Sequence, residues 1–170
     1  EAFLAAYASG SRMVIGDTPQ LSSAIAKARR WRLNDYLGKC LRDCTLFSVQ
    51  HSASRFCSVR RTEGPALDAL LREPDSAMRH GKLLKDGNTS TVARVDLPDR
   101  TVVVKRYNLK DFWHAFGRLW RPSRAWQSWR EGHRLRFLGI ATPEPLALVE
   151  ERFGPLRRRA FLVNAFCPGV

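Results

Sequence analysis

Hydrophobic and polar positions change period twice along the chain. From residue 21 to residue 41 the apolar positions Leu21, Ile25, Ala28, Leu33, Tyr36 and Leu37 fall near helical spacing. Asp17-Thr18-Pro19 reads as the start of that helix, a capping side chain followed by a proline in the first turn. Upstream, residues 2–9 read as the end of another helix, closed by Gly10. From Thr45 the period drops to two. Residues 45–50 and 55–60 alternate on either side of His51-Ser52-Ala53-Ser54 and predict a hairpin. Residues 65–71 form a short helix that ends before Pro74, and strands at 82–85 and 91–95 flank a turn around Gly87. A second turn at Asp96-Leu97-Pro98-Asp99 precedes a strand at 101–107, because a proline cannot continue a central strand. Residues 123–138 predict a helix in which Ser128, Glu131, Leu135 and Leu138 share a face, turning Glu131 toward the body of the fold. Strands at 146–149 and 159–163, separated by Phe153-Gly154-Pro155, close the pattern. The five strands from residue 82 onward, with one inserted helical region, suit an antiparallel sheet joined mostly by short turns, an α+β fold.

The stretch Thr101-Val102-Val103-Val104-Lys105-Arg106-Tyr107 raises a chemical question. Three consecutive β-branched residues predict a buried strand, with a lysine at its end. A buried amine needs an anion, either a carboxylate from the chain or a phosphate from a ligand. Most strand-end lysines instead leave the sheet and reach water. The order of elements around Lys105 decides which applies.

Charge narrows the partners. The chain has 170 residues, a net charge of +13 and a pI near 10.6. That balance favours phosphate-bearing partners: nucleotides, nucleic acid or an anionic membrane surface. At 44% hydrophobic and 10% aromatic, the composition predicts a packed core, one ordinary domain or two small ones. No apolar run is long enough to span a bilayer, and the first one, residues 2–7, lacks the basic flank of a signal peptide. The chain begins at Glu1 without an initiator methionine and ends where a turn leads onward, so it is expected to be cut from a longer protein. Cys40, Cys44, Cys57 and Cys167 form no C-x-x-C and have no histidine pair at zinc spacing. They read as reduced thiols of a cytosolic protein, with Cys40 and Cys44, a helical turn apart, as an alternative redox pair. Lys27, Arg29, Arg30, Arg32 and Lys39 make the first helix basic, which fits a solvated surface helix before it fits lipid or nucleic acid. Between Lys105 and Glu131, Lys110, Arg118, Arg121, Arg124 and Arg130 interleave with Phe112, Trp113, Phe116, Trp120 and Trp126. Such a stretch suits an anionic amphipathic surface, or tryptophans packed on the sheet with arginines in water. A nucleic-acid-binding module ranks last, because the basic residues are dispersed and no helix-turn-helix, RNP or zinc pattern occurs.

Four pieces stand out together: Val103-Val104-Lys105-Arg106-Tyr107, the helix start Ser123-Arg124-Ala125 leading to Glu131, Leu138-Gly139-Ile140-Ala141-Thr142-Pro143-Glu144-Pro145, and Phe166-Cys167-Pro168-Gly169. On these, the chain from about Lys82 to Val170 resembles the lipopolysaccharide kinase family, bacterial kinases of heptose or Kdo sugars in the lipopolysaccharide inner core. The resemblance implies a protein-kinase-like small lobe over residues 44–170, antiparallel sheet plus helix C, cut at the hinge and without its large lobe. Phe3-Leu4-Ala5-Ala6-Tyr7 and Arg30-Trp31-Arg32-Leu33 resemble closing helices of that family's large lobe, so residues 1–43 are expected to be a helical segment, the tail of a preceding kinase-like domain. For the site, the resemblance implies that Lys105 contacts the α/β-phosphates of ATP and Glu131 orients it. Gly87, Asn88, Thr89 and Ser90 would form the phosphate-covering turn, and Phe166 and Cys167 the adenine edge. The turn departs from G-x-G-x-x-G in having one glycine, and Asp86-Gly87-Asn88 also reads as an ordinary hairpin turn. The aspartate that accepts the sugar proton and the aspartate that holds Mg²⁺ are expected beyond Val170, so this stretch alone should not transfer phosphate. The implied acceptor is a core sugar of lipopolysaccharide, met in the cytoplasm at the inner-membrane surface. A pseudokinase or kinase-like scaffold is the alternative.

Overall fold

The computed structural model describes residues 18–108, 122–153 and 156–168. The helix end at residues 2–9, Asp17 of the first helix start, the insert from Lys110 to Arg121 and the Gly154-Pro155 turn lie outside the described residues. Among the described residues four helices accompany a seven-stranded antiparallel sheet, an α+β fold. No helix among them is long and apolar enough to cross a membrane.

The chain divides into two compact units, Glu1–Tyr36 and Leu37–Val170. Helix α1 (Thr18–Lys39) supplies the described part of the first and its last turn belongs to the second. Of the apolar positions spaced along α1, Leu37 alone is buried, at 6% exposure, whereas Trp31 is 68% exposed.

The second unit is built on the sheet. Its strands are β1 (Phe47–His51), β2 (Arg55–Arg60), β3 (Lys82–Lys85), β4 (Ser90–Asp96), β5 (Thr101–Tyr107), β6 (Pro145–Phe153) and β7 (Leu156–Ala165), in the order β1-β2-β6-β7-β5-β4-β3. The hairpin predicted at 45–60 therefore extends the same sheet, because β2 pairs with β6 in the register Phe56↔Glu150 and Ser58↔Leu148. Two short helices connect β2 to β3: α2 (Gly64–Arg72) and α3 (Pro74–His80). The pattern predicted a single helix stopping before Pro74. The chain breaks at Glu73 and Pro74 opens a second helix instead, since proline lacks only an N–H that a first turn leaves unpaired anyway.

One sheet face and these two helices enclose the main core. Cys57, Val59, Ala93, Val95, Val102, Val104, Val149, Phe161 and Val163 pack with Leu67, Leu70, Leu71 and Met78. Strand β5 alternates: Val102 and Val104 are fully buried in this core, while Val103 and Lys105 are half-buried on the opposite face. The run of valines is thus two core residues and one facing the other way, as the strand period of two requires.

Helix α4 (Arg124–Phe137) lies between β5 and β6 in sequence and packs mainly on β6 and β7. Ser123 caps it, accepting a hydrogen bond from Trp126 N at 3.1 Å. Its buried stripe is Ala125, Trp129 and His133. The face predicted from Ser128, Glu131, Leu135 and Leu138 is not the inward one, and Glu131 and Leu138 are exposed. Spacing identified the helix but gave it the wrong phase; the large rings of Trp129 and His133, packed against Phe47, set it. Trp129 and His133 stack edge to face at 4.2 Å, and Phe47 meets His133 edge-on at 5.1 Å. Burying a large aromatic side chain of this kind contributes roughly 1.5–3 kcal/mol. Gly132 lets the helix approach β6: a Cβ there would stand 2.7 Å from Pro145 Cγ. The Cys40 carbonyl closes this second core, accepting from Trp129 Nε1 at 3.0 Å and Ser58 Oγ at 2.7 Å.

Candidate functional site

Pairing register puts two of the predicted site residues, Lys105 and Ser90, on one face of the sheet. Lys105 stands opposite Val92 on β4 and Leu162 on β7, and Tyr107 stands opposite Ser90. Partners directly opposite in antiparallel strands share a face, so Lys105, Tyr107, Val92 and Ser90 line the surface that α4 crosses. Lys105 Nζ sits 4.8 Å from the centroid of the Tyr107 ring, a cation over an aromatic face. The Tyr107 hydroxyl then donates to Ser128 Oγ of α4 at 2.8 Å. A chain of contacts thus runs from the strand lysine to the helix, one turn short of Glu131.

Glu131 itself is exposed and pairs with Arg134 Nη1 at 3.6 Å on its own helix. No ion pair joins it to Lys105 among the described residues. At 60% and 51% side-chain exposure the Glu131–Arg134 pair is screened by water and holds Glu131 weakly.

The turn at Gly87, Asn88, Thr89 and Ser90 joins β3 to β4. Among the described residues only Gly139 has a positive φ, so this is not the mirror-image two-residue turn that the Asp86-Gly87-Asn88 sequence suggests. It is a longer loop braced from outside. Thr91 Oγ1 donates to Asp86 Oδ1 at 3.1 Å, and Asn108 donates through its backbone N to Thr89 O and through Nδ2 to Gly87 O, both at 3.1 Å. Asn108 Oδ1 in turn accepts from Arg106 Nε at 3.0 Å. Arg106, on the core side of β5, reaches Asp75 of α3 at 2.9 Å, and Arg159 pairs with the same carboxylate.

Phe166 and Cys167 follow β7 directly. Phe166 is half-buried beneath the Arg94 guanidinium, 4.8 Å from its ring centroid, and its N–H donates to Thr101 O at 3.3 Å. Arg94 is held there by Asp96 at 3.0 Å. Hydrogen bonds from Thr101 and Arg94 keep the Asp96 carboxyl below the usual carboxylate range. Cys167 is an exposed free thiol.

No protein-family model matches the chain, and no curated protein sequence matches it. Among solved structures, the fold is similar to one described as "WaaP in complex with acyl carrier protein", with 22% sequence identity and a TM-score of 0.45. The match covers 66% of this chain, which spans 41% of that one.

Sequence reading alone missed Tyr107, Ser128, Asn108, Arg106 and Arg94. Tyr107 was accessible to it, being two residues beyond Lys105 and so on the same strand face. The others depend on pairing across the sheet. Cys40 and Cys44 have no disulfide between them; burial pushes the Cys40 thiol up to about 12, against the thiolate character that redox chemistry requires. Among the described residues no group of three His, Cys, Asp or Glu side chains could hold a metal ion.

Proposed function

We propose that this chain is the nucleotide-binding lobe of an ATP-dependent phosphotransferase acting on sugar hydroxyls of the lipopolysaccharide inner core. The observation that carries it is the placement of Lys105: on the sheet face crossed by α4, over Tyr107, whose hydroxyl bonds Ser128 one helical turn before Glu131. Support also comes from the sequence resemblance and from the order of elements: hairpin, lysine strand, helix, then two strands that complete the sheet. Lys105 would contact the α/β-phosphates, with Glu131 turning from Arg134 to orient it once a nucleotide is bound. Gly87, Asn88, Thr89 and Ser90 would cover the phosphates with backbone N–H groups, and Phe166 and Cys167 would border the adenine. ATP supplies the phosphoryl group and Mg²⁺ its charge neutralisation; no residue of this chain is assigned to the metal or to the sugar's proton. The acceptor would be met in the cytoplasm, at the inner-membrane surface.

A second reading, a pseudokinase or scaffold, has one observation in its favour: Glu131 pairs with Arg134 rather than Lys105. Phosphate transfer from ATP to inner-core lipopolysaccharide, assayed with the protein that carries this chain, separates the two. Losing a charge-assisted contact to phosphate by Lys105→Ala should weaken ATP affinity roughly 10- to 100-fold. Equal transfer by both proteins, or none by either, would sink the kinase reading.

A further inference from the structure

Asn108 answers a question that the lone glycine of the 87–90 turn leaves open, namely what fixes its shape. A loop with one glycine and no left-handed residue has little local preference for a single conformation. Its carbonyls are fixed by a residue from another strand end. Asn108 takes Thr89 O with its backbone N–H and Gly87 O with its side-chain amide, both at 3.1 Å. The amide orientation is dictated by chemistry: Arg106 Nε can only donate, so the atom facing it at 3.0 Å must be Oδ1, leaving Nδ2 for Gly87 O. Nδ2 also lies 3.4 Å from Thr91 Oγ1, and Arg106 Nη2 is 3.3 Å from the same hydroxyl. Arg106 is itself anchored to Asp75 at 2.9 Å on the core side.

A trans peptide points its C=O and the following N–H in opposite directions. Holding Gly87 O toward Asn108 therefore aims the Asn88 N–H away from it, and the N–H groups of Gly87, Asn88 and Thr89 donate to no group among the described residues. Unused N–H groups held in one orientation are what an anion requires of a backbone.

We propose that Asn108, backed by Arg106 and Asp75, is a positioning residue that sets the 87–90 turn for phosphate, a role that rests on the nucleotide-binding reading above. Asn108 does not touch the ligand; it acts through the turn. The test measures affinities of the protein carrying this chain for MgATP and for adenosine. Asn108→Ala should weaken MgATP about tenfold, the loss of one or two hydrogen bonds, and leave adenosine unchanged. Asn108→Asp is nearly isosteric and still accepts from Arg106, but it has no donor for Gly87 O; it should show the same selective loss and serves if the alanine variant does not fold. An unchanged ratio of MgATP to adenosine affinity, or equal loss of both, overturns the proposal while wild-type binding upholds the site. Wild-type protein that binds neither ligand overturns the nucleotide reading, and this role falls with it.

Discussion

His133 gives the sharpest energetic test of the second core. It is 1% exposed, wedged edge-on between Trp129 and Phe47. Desolvation, with the nearby positive charges of Arg60 and Arg136, lowers its pKa to about 3 from an ordinary 6.5. Those two arginines share the Glu144 carboxylate, so part of their charge is offset. The imidazole is neutral in the folded protein. In the unfolded chain it takes a proton as pH falls below 6.5, so the unfolded state binds more protons across the interval from 6.5 down to about 3. Stability attributable to His133 is therefore complete above pH 6.5 and is lost as pH falls. The full interval corresponds to roughly 4–5 kcal/mol, and the part between pH 7.5 and 5 to about 2 kcal/mol. Urea denaturation at these two pH values, for the wild type and for His133→Phe and His133→Gln, isolates the contribution, because carboxylates elsewhere titrate equally in all three. The wild-type midpoint should drop about 1 M further than either variant's, taking a slope of ~2 kcal/mol per M. Parallel losses in the three proteins would refute a buried neutral His133.

Two further outcomes test the packing of α4. Gly132→Ala should lower the melting temperature despite alanine's better helix propensity of about 1 kcal/mol, because the added Cβ, 2.7 Å from Pro145 Cγ, brings an overpacking cost of ~1–3 kcal/mol. Trp129→Phe and Ser58→Ala each remove a donor to the Cys40 carbonyl; the serine change should cost about 1 kcal/mol and the tryptophan change more, because the smaller ring also leaves part of a fully buried site unfilled. Their combination should exceed the sum in a denaturation double-mutant cycle, since only then is the buried carbonyl left without those partners; strict additivity would count against a shared acceptor.

Local pattern went far in this chain because alternation and helical spacing are properties of neighbours in sequence. The strands at 82–85, 91–95 and 101–107, the hairpin and the helix from residue 123 follow from periodicity and proline placement, and they were legible in the sequence. So was Lys105, the cation that follows the run of valines, although β5 carries on past it to Tyr107. What neighbours cannot specify is phase and partnership. The stripe Ser128-Glu131-Leu135-Leu138 and the stripe Ala125-Trp129-His133 are equally periodic, and the choice fell to the packing of Trp129 and His133 against Phe47. The first hairpin joined the large sheet because β2 found β6, a pairing across some ninety residues that no local preference encodes. The same holds for Asn108 beneath the 87–90 turn and Arg106 on Asp75. Hydrogen-bonding groups are written in the sequence, but the partner each one takes is decided when the strands align.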